Sequence, residues 1–70
     1  MDKAKEEALL RDLGHDEQRI INDFPSDVRE KILSKLGDGY TVTKCDRFEV
    51  EVKKGYSYYN IERSGRMYQV

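Results

Sequence analysis

The chain is poor in the groups that carry covalent chemistry. Its 70 residues include one cysteine and one histidine. A lone cysteine excludes an internal disulfide and fits a reducing compartment. Structural zinc takes about four ligands, and a nucleophile needs a base that a third group orients. Cys45 and His15 supply neither set and read as incidental. No apolar run reaches the length of a membrane-spanning helix, and the first residues are rich in Asp, Glu and Lys, unlike a secretion signal. Formal net charge is −1, too weak a field to name a nucleic acid or a membrane as partner. No phosphate-binding loop or internal repeat is present. The expectation is one soluble, cytoplasmic domain over 1–70, with no catalytic residues, no metal, no cofactor and no membrane partner.

What the chain does have is pattern. Hydrophobic residues make up 37% and charged ones 39%, and the apolar minority is placed with regular spacing. From Tyr40 to Val70 the sequence reads as strands folding back on one another, punctuated by Lys54-Gly55 and Ser64-Gly65, each with a glycine where a two-residue hairpin loop needs positive φ. With Lys54-Gly55 as a loop, Val50 faces Tyr59 and Phe48 faces Ile61. With Ser64-Gly65 as a loop, Ile61 faces Tyr68, Tyr59 faces Val70 and Arg63 faces Arg66. Both pairings put Phe48, Val50, Val52, Tyr59, Ile61, Tyr68 and Val70 on one side. Glu49, Glu51, Lys53, Tyr56, Tyr58, Asn60, Glu62, Met67 and Gln69 fall on the other. A slip of one residue would reverse a whole strand, so the agreement argues for the register. A first strand joins with Tyr40 and Val42 inward if Cys45-Asp46-Arg47 is a three-residue connection.

Before the sheet, Leu9, Leu13, Ile20 and Phe24 form one helical stripe, with Leu10 and Ile21 beside it. Leu13-Gly14-His15-Asp16 reads as a helix stop with a new N-cap at Asp16 or as a bend. Because the stripe keeps its phase across Gly14, the expectation is one helix over about 2–24, bent at that glycine. Phe24-Pro25 ends it, because a residue before proline avoids the helical region. Ser26 then reads as the N-cap of a second helix over about 27–36, with Val28, Ile32, Leu33 and Leu36 as its buried face and Gly37 closing it. The stretch from Phe24 to Gly37 resembles the opening of an F-box. Strands follow where further helices would be needed, and a helix capped after a proline gives the same letters, so no function is carried over. The architecture expected is α+β and two-layer: two N-terminal helices packed on one face of a four-stranded antiparallel meander, with strands at about 40–44, 48–53, 56–63 and 66–70.

Function is far less legible. Glu49, Glu51 and Glu62 share the outer face with Thr41, Thr43, Lys53 and Asn60. An acid–base pair needs a pocket that desolvates one partner, which a flat sheet does not offer, so an enzyme is not expected. Tyr56, Tyr58 and Met67 form the candidate partner-binding surface, since nothing in the sequence covers them and tyrosine is enriched at interfaces. The open edges of the meander invite strand addition. Residues 1–38 hold seven Lys/Arg against ten Asp/Glu, net −3, whereas 39–70 hold six against four, net +2. The first and third loops share one end of the sheet, which gathers Lys44, Arg47, Arg63 and Arg66 as a candidate anion site. The function expected is a small non-catalytic interaction or regulatory module that binds another protein or a copy of itself. Nucleic-acid binding at the Lys44/Arg47/Arg63/Arg66 end is the alternative.

Overall fold

A computed structural model describes residues 3–70; the expected start of the first helix at residue 2 lies outside them. Three helices, α1 (Lys3–Arg11), α2 (His15–Asn22) and α3 (Ser26–Gly37), precede β1 (Thr41–Cys45), β2 (Glu49–Lys54), β3 (Ser57–Glu62) and β4 (Met67–Gln69). The strands form one antiparallel sheet in the order β1-β2-β3-β4. This is the two-layer α+β meander that the patterning predicts.

The single helix over 2–24 is corrected. Gly14 stands in extended conformation (φ −62°, ψ 158°) at the N-cap of α2, and the Leu13 amide closes α1 on Leu10 O at 3.0 Å. A glycine inside a helix costs about 1 kcal/mol relative to alanine. Starting afresh avoids that cost and puts Asp16 and Glu17 in the first turn of α2, where the helix dipole favours acids. Gln18 Nε2 donates to the Leu13 carbonyl across the break at 3.0 Å. The new start also resets the buried stripe. Leu10, Ile21 and Phe24 are buried, while Leu9, Leu13 and Ile20 are only partly covered.

In α3 the expected face is the observed one: Val28, Ile32, Leu33 and Leu36 are buried. Pro25 rather than Ser26 occupies the N-cap, without a side-chain cap. At the other end Gly39 (φ 99°) takes the left-handed turn. Tyr40 N–H donates to Lys35 O and Gly39 N–H to Leu36 O, each at 3.1 Å. Those two bonds make a Schellman closure, which satisfies carbonyls the helix leaves open.

Each hairpin departs from its expected loop, and the departures have different consequences. In β2–β3 the loop is Gly55-Tyr56, with Lys54 opposite Ser57, Val52 opposite Tyr59 and Val50 opposite Ile61. Only Gly55 has positive φ (62°), the II′ pattern with glycine first. Partners move by two positions, so the faces survive. In β3–β4, Glu62 N–H donates to Arg66 O at 2.8 Å and Gly65 N–H to Glu62 O at 2.9 Å. The loop is therefore the three residues Arg63-Ser64-Gly65, with Gly65 left-handed (φ 99°) as the third. Partners move by one: Ile61 faces Met67, Asn60 faces Tyr68 and Tyr59 faces Gln69. The faces of β4 are thereby reversed. Met67 falls on the helix side, and Tyr68 on the outer side.

The β1–β2 connection is also shorter than expected. Asp46 N–H donates to Glu49 O at 3.0 Å, which leaves Arg47-Phe48 as the tip. The Asp46 carboxylate accepts from the amides of Phe48 (2.8 Å) and Glu49 (3.0 Å) and fixes the turn without a glycine. A bulge at Thr43 absorbs the difference, so Val42 faces Val52 and Cys45 faces Val50.

The core lies between the layers. Val50, Val52 and Ile61 from the sheet meet Leu10, Ile21, Phe24, Val28, Ile32, Leu33 and Leu36. Burying each large aliphatic side chain contributes roughly 1.5–3 kcal/mol, and Ile21, Ile32, Leu33, Ile61, Val28, Val50 and Val52 are fully covered. Tyr40 and Tyr59 close one corner edge to face at 5.8 Å, under the Lys35 ammonium, 3.9 Å from the Tyr59 ring centre. Three residues assigned inward are not inside: Phe48 is 69% exposed, Tyr68 37% and Val70 70%. Phe48 has moved into a turn, and the three-residue loop turns Tyr68 outward. No described helix is long and apolar enough to cross a membrane.

Candidate interaction surfaces

The structure disperses the expected tyrosine–methionine surface. Tyr56 is fully exposed at the tip of the β2–β3 hairpin. Tyr58 is half-buried on the outer face, opposite Lys53, whose ammonium lies 5.5 Å from its ring centre. Met67, 41% exposed, stands on the other side of the sheet.

A polar network occupies the outer face instead. Asn60 is buried at 5% exposure. Its Nδ2 donates to Glu49 Oε2 at 3.1 Å and to the Tyr68 hydroxyl at 2.9 Å. Lys44 Nζ reaches Glu49 Oε1 at 3.5 Å, and the Arg66 guanidinium lies 5.0 Å from the Tyr68 ring centre. This chain of contacts ties all four strands together on the side without helices.

The four cations expected at one end of the sheet therefore separate. Lys44 and Arg66 belong to that outer network. Arg63 is not opposite Arg66; it sits in the loop and acts as a strut. Its Nη1 donates to Arg47 O at 3.2 Å and its Nη2 to Asp23 O at 3.1 Å. Asp23 Oδ2 lies 3.9 Å from Nη2, and the guanidinium covers the Phe24 ring at 5.3 Å. Only Arg47 remains open, on the tip beside Phe48. Arg19 of α2 joins it, so that Arg19, Ile20, Asp23, Arg47, Phe48 and Arg63 line an open cleft of about 630 Å³. Sequence reasoning missed Arg19 and Phe48. Until the break at Gly14 sets the rotation of α2, nothing in the letters marks Arg19 as facing the sheet loops.

His15 is exposed at the start of α2. Cys45 is half-buried opposite Val50. Burial pushes its thiol up to about 11, helped by the carboxylates of Glu17 and Asp46. At neutral pH it is a protonated thiol and a poor nucleophile. Among the described residues no three His, Cys, Asp or Glu side chains gather as a metal site.

No known protein family, curated protein or solved structure matches the chain.

Proposed function

We propose that the chain is a non-catalytic interaction module that takes up an extended segment of a partner protein along the free edge of β4. One observation carries this reading. Arg66 O and Val70 N–H are bonded to β3, to Glu62 N–H and Tyr58 O at 2.8 and 2.9 Å. Antiparallel ladders alternate bonded and non-bonded pairs, so Met67 and Gln69 turn their N–H and C=O groups away from β3. An extended chain is what complements such a row. Exposed Met67, Tyr68 and Val70 flank it with apolar surface.

The opposite edge is blunted. The β1 strand carries the Thr43 bulge, and Thr43 Oγ1 is turned back onto Glu51 O at 3.2 Å, features that discourage edge pairing. Charge disfavours a second copy on β4. Pairing two β4 strands about Tyr68 would bring together two Tyr68 rings, each carrying its own Arg66 guanidinium. The single cysteine, which cannot form an internal disulfide, suits a reducing cytoplasm.

The test is Gln69→Pro, which removes an outward N–H and leaves the bonds to β3 in place. A partner captured by the wild-type chain should be lost by this variant at an unchanged melting temperature. The same partner should slow amide exchange at Met67 and Gln69. Partner binding that survives Gln69→Pro sinks the reading. A concentration-dependent dimer abolished by the substitution would replace the partner with a second copy.

A further inference from the structure

We infer that the cleft between α2 and the Arg47-Phe48 tip is a second, separate binding site, which takes an acidic peptide segment carrying an apolar residue between its carboxylates. Three arginines and one aspartate line it, a local charge of +2 in a chain whose total is −1. Arg63 bonds the Asp23 main-chain carbonyl and lies 3.9 Å from its exposed carboxylate, which it offsets in charge. Among the described residues no carboxylate pairs with Arg19 or Arg47. Their two guanidiniums therefore stand free in a cleft that Ile20 and Phe48 also line.

The chemistry of the lining selects the ligand. An open guanidinium binds a carboxylate through two parallel hydrogen bonds. Phe48 is 69% exposed, yet its backbone is pinned at both ends. Its N–H goes to Asp46 Oδ1 at 2.8 Å, and its carbonyl accepts from Arg63 N–H at 2.8 Å. An exposed aromatic ring on a fixed turn in an arginine-lined cleft has the composition of an interface anchor. A bare phosphate fits less well. Phosphate sites commonly present a cradle of free backbone amides, and here the amides of Phe48, Glu49 and Arg63 are spent internally. Nucleic acid needs a longer basic track, and Glu49, Glu51 and Glu62 interrupt one.

The experiment is an amide chemical-shift titration of the whole chain with a short capped peptide of alternating glutamate and leucine. Its controls are the glutamine–leucine peptide, inorganic phosphate and a short thymidylate oligonucleotide. Saturable shifts centred on Arg19, Ile20, Arg47 and Phe48, absent with the glutamine peptide, are expected. The double variant Arg19→Gln, Arg47→Gln should weaken binding by roughly tenfold or more, the scale of losing a charge-assisted contact. Phe48→Ala should weaken it while the melting temperature holds. All three side chains are exposed, so the fold should tolerate these changes, and Arg63 is left intact because it braces the cleft.

Several outcomes overturn the inference. Shifts scattered over the surface, or equal shifts with the glutamine peptide, would do so. Saturation by phosphate alone would leave a simple anion site. Tighter binding of the oligonucleotide, with steep loss in salt, would make the ligand a nucleic acid.

Discussion

Asn60 and Tyr68 face one another on the side of the sheet that carries no helix, the amide donating to the phenol oxygen at 2.9 Å. Asn60 is a buried polar side chain with partners on two strands, since Glu49 takes its other hydrogen. A buried polar group costs little while bonded and about 1–3 kcal/mol when its partner is left unsatisfied. Asn60→Ala should lower stability by about 1–3 kcal/mol, because it opens a gap under Tyr68 and releases Glu49. Tyr68→Phe should cost less, ~1 kcal/mol, since Asn60 keeps Glu49. Urea denaturation of the two variants checks the order; equal stabilities would mean that the network is surface decoration.

Two glycines make opposite predictions. Gly65 sits at φ 99°, a conformation that L side chains rarely adopt, with Lys31 Nζ 3.6 Å from where a Cβ would be. Gly65→Ala should destabilise by about 1–2 kcal/mol. Gly14 has ordinary N-cap angles and nothing within 4 Å of a built Cβ. Gly14→Asp should stabilise by a few tenths of a kcal/mol, because a side-chain cap is added to α2 and the unfolded chain loses freedom. Thermal melts that moved in the same direction for both would contradict the loop and helix-break geometry.

These glycines also explain what could be read in the letters and what could not. A glycine announces a left-handed residue, and Gly55 and Gly65 were both legible as turns. It does not announce its place in the loop. Gly55 is first of two and Gly65 third of three, whereas each reads equally well as second of two. The even displacement at Gly55 left Val50, Val52, Tyr59 and Ile61 on the core side. The odd displacement at Gly65 exchanged Tyr68 for Met67, and the expected binding surface went with it. The core was legible in α3, β2 and β3, where Val28, Ile32, Leu33, Leu36, Val50, Val52 and Ile61 obey two simple periods. The cleft was not, because it depends on the Gly14 break, the Asp46-fixed turn and the reach of Arg63, none of which has a period.

Arg63 is the side chain that joins these pieces. It bonds Arg47 O in the β1–β2 turn and Asp23 O before α3, and it lies on the Phe24 ring. Lysine keeps the charge but has no planar fork to serve two carbonyls at once. Arg63→Lys should therefore cost about 1 kcal/mol and speed amide exchange in the Arg47-Phe48 tip, at constant net charge. Exchange as slow as in the wild type would show that Asp46 alone holds the turn.

Cys45 gives a prediction in pH. Its thiol is raised from the ordinary 9.0 to about 11, first by burial and then by Glu17 and Asp46. A raised value means that the folded chain holds the proton more tightly than the unfolded one. The contribution is fully present below pH 9.0 and is lost as pH climbs through about 11. Stability should fall across that window in the wild type and fall less in Cys45→Ala or Cys45→Val. Valine suits the half-buried site opposite Val50 and guards against a cavity effect. Alkylation by iodoacetamide at pH 8 should be several-fold slower than for an unstructured cysteine peptide, since the thiolate is the attacking form. Labelling at the peptide's rate would mean that the strand end is open and the thiol unshielded.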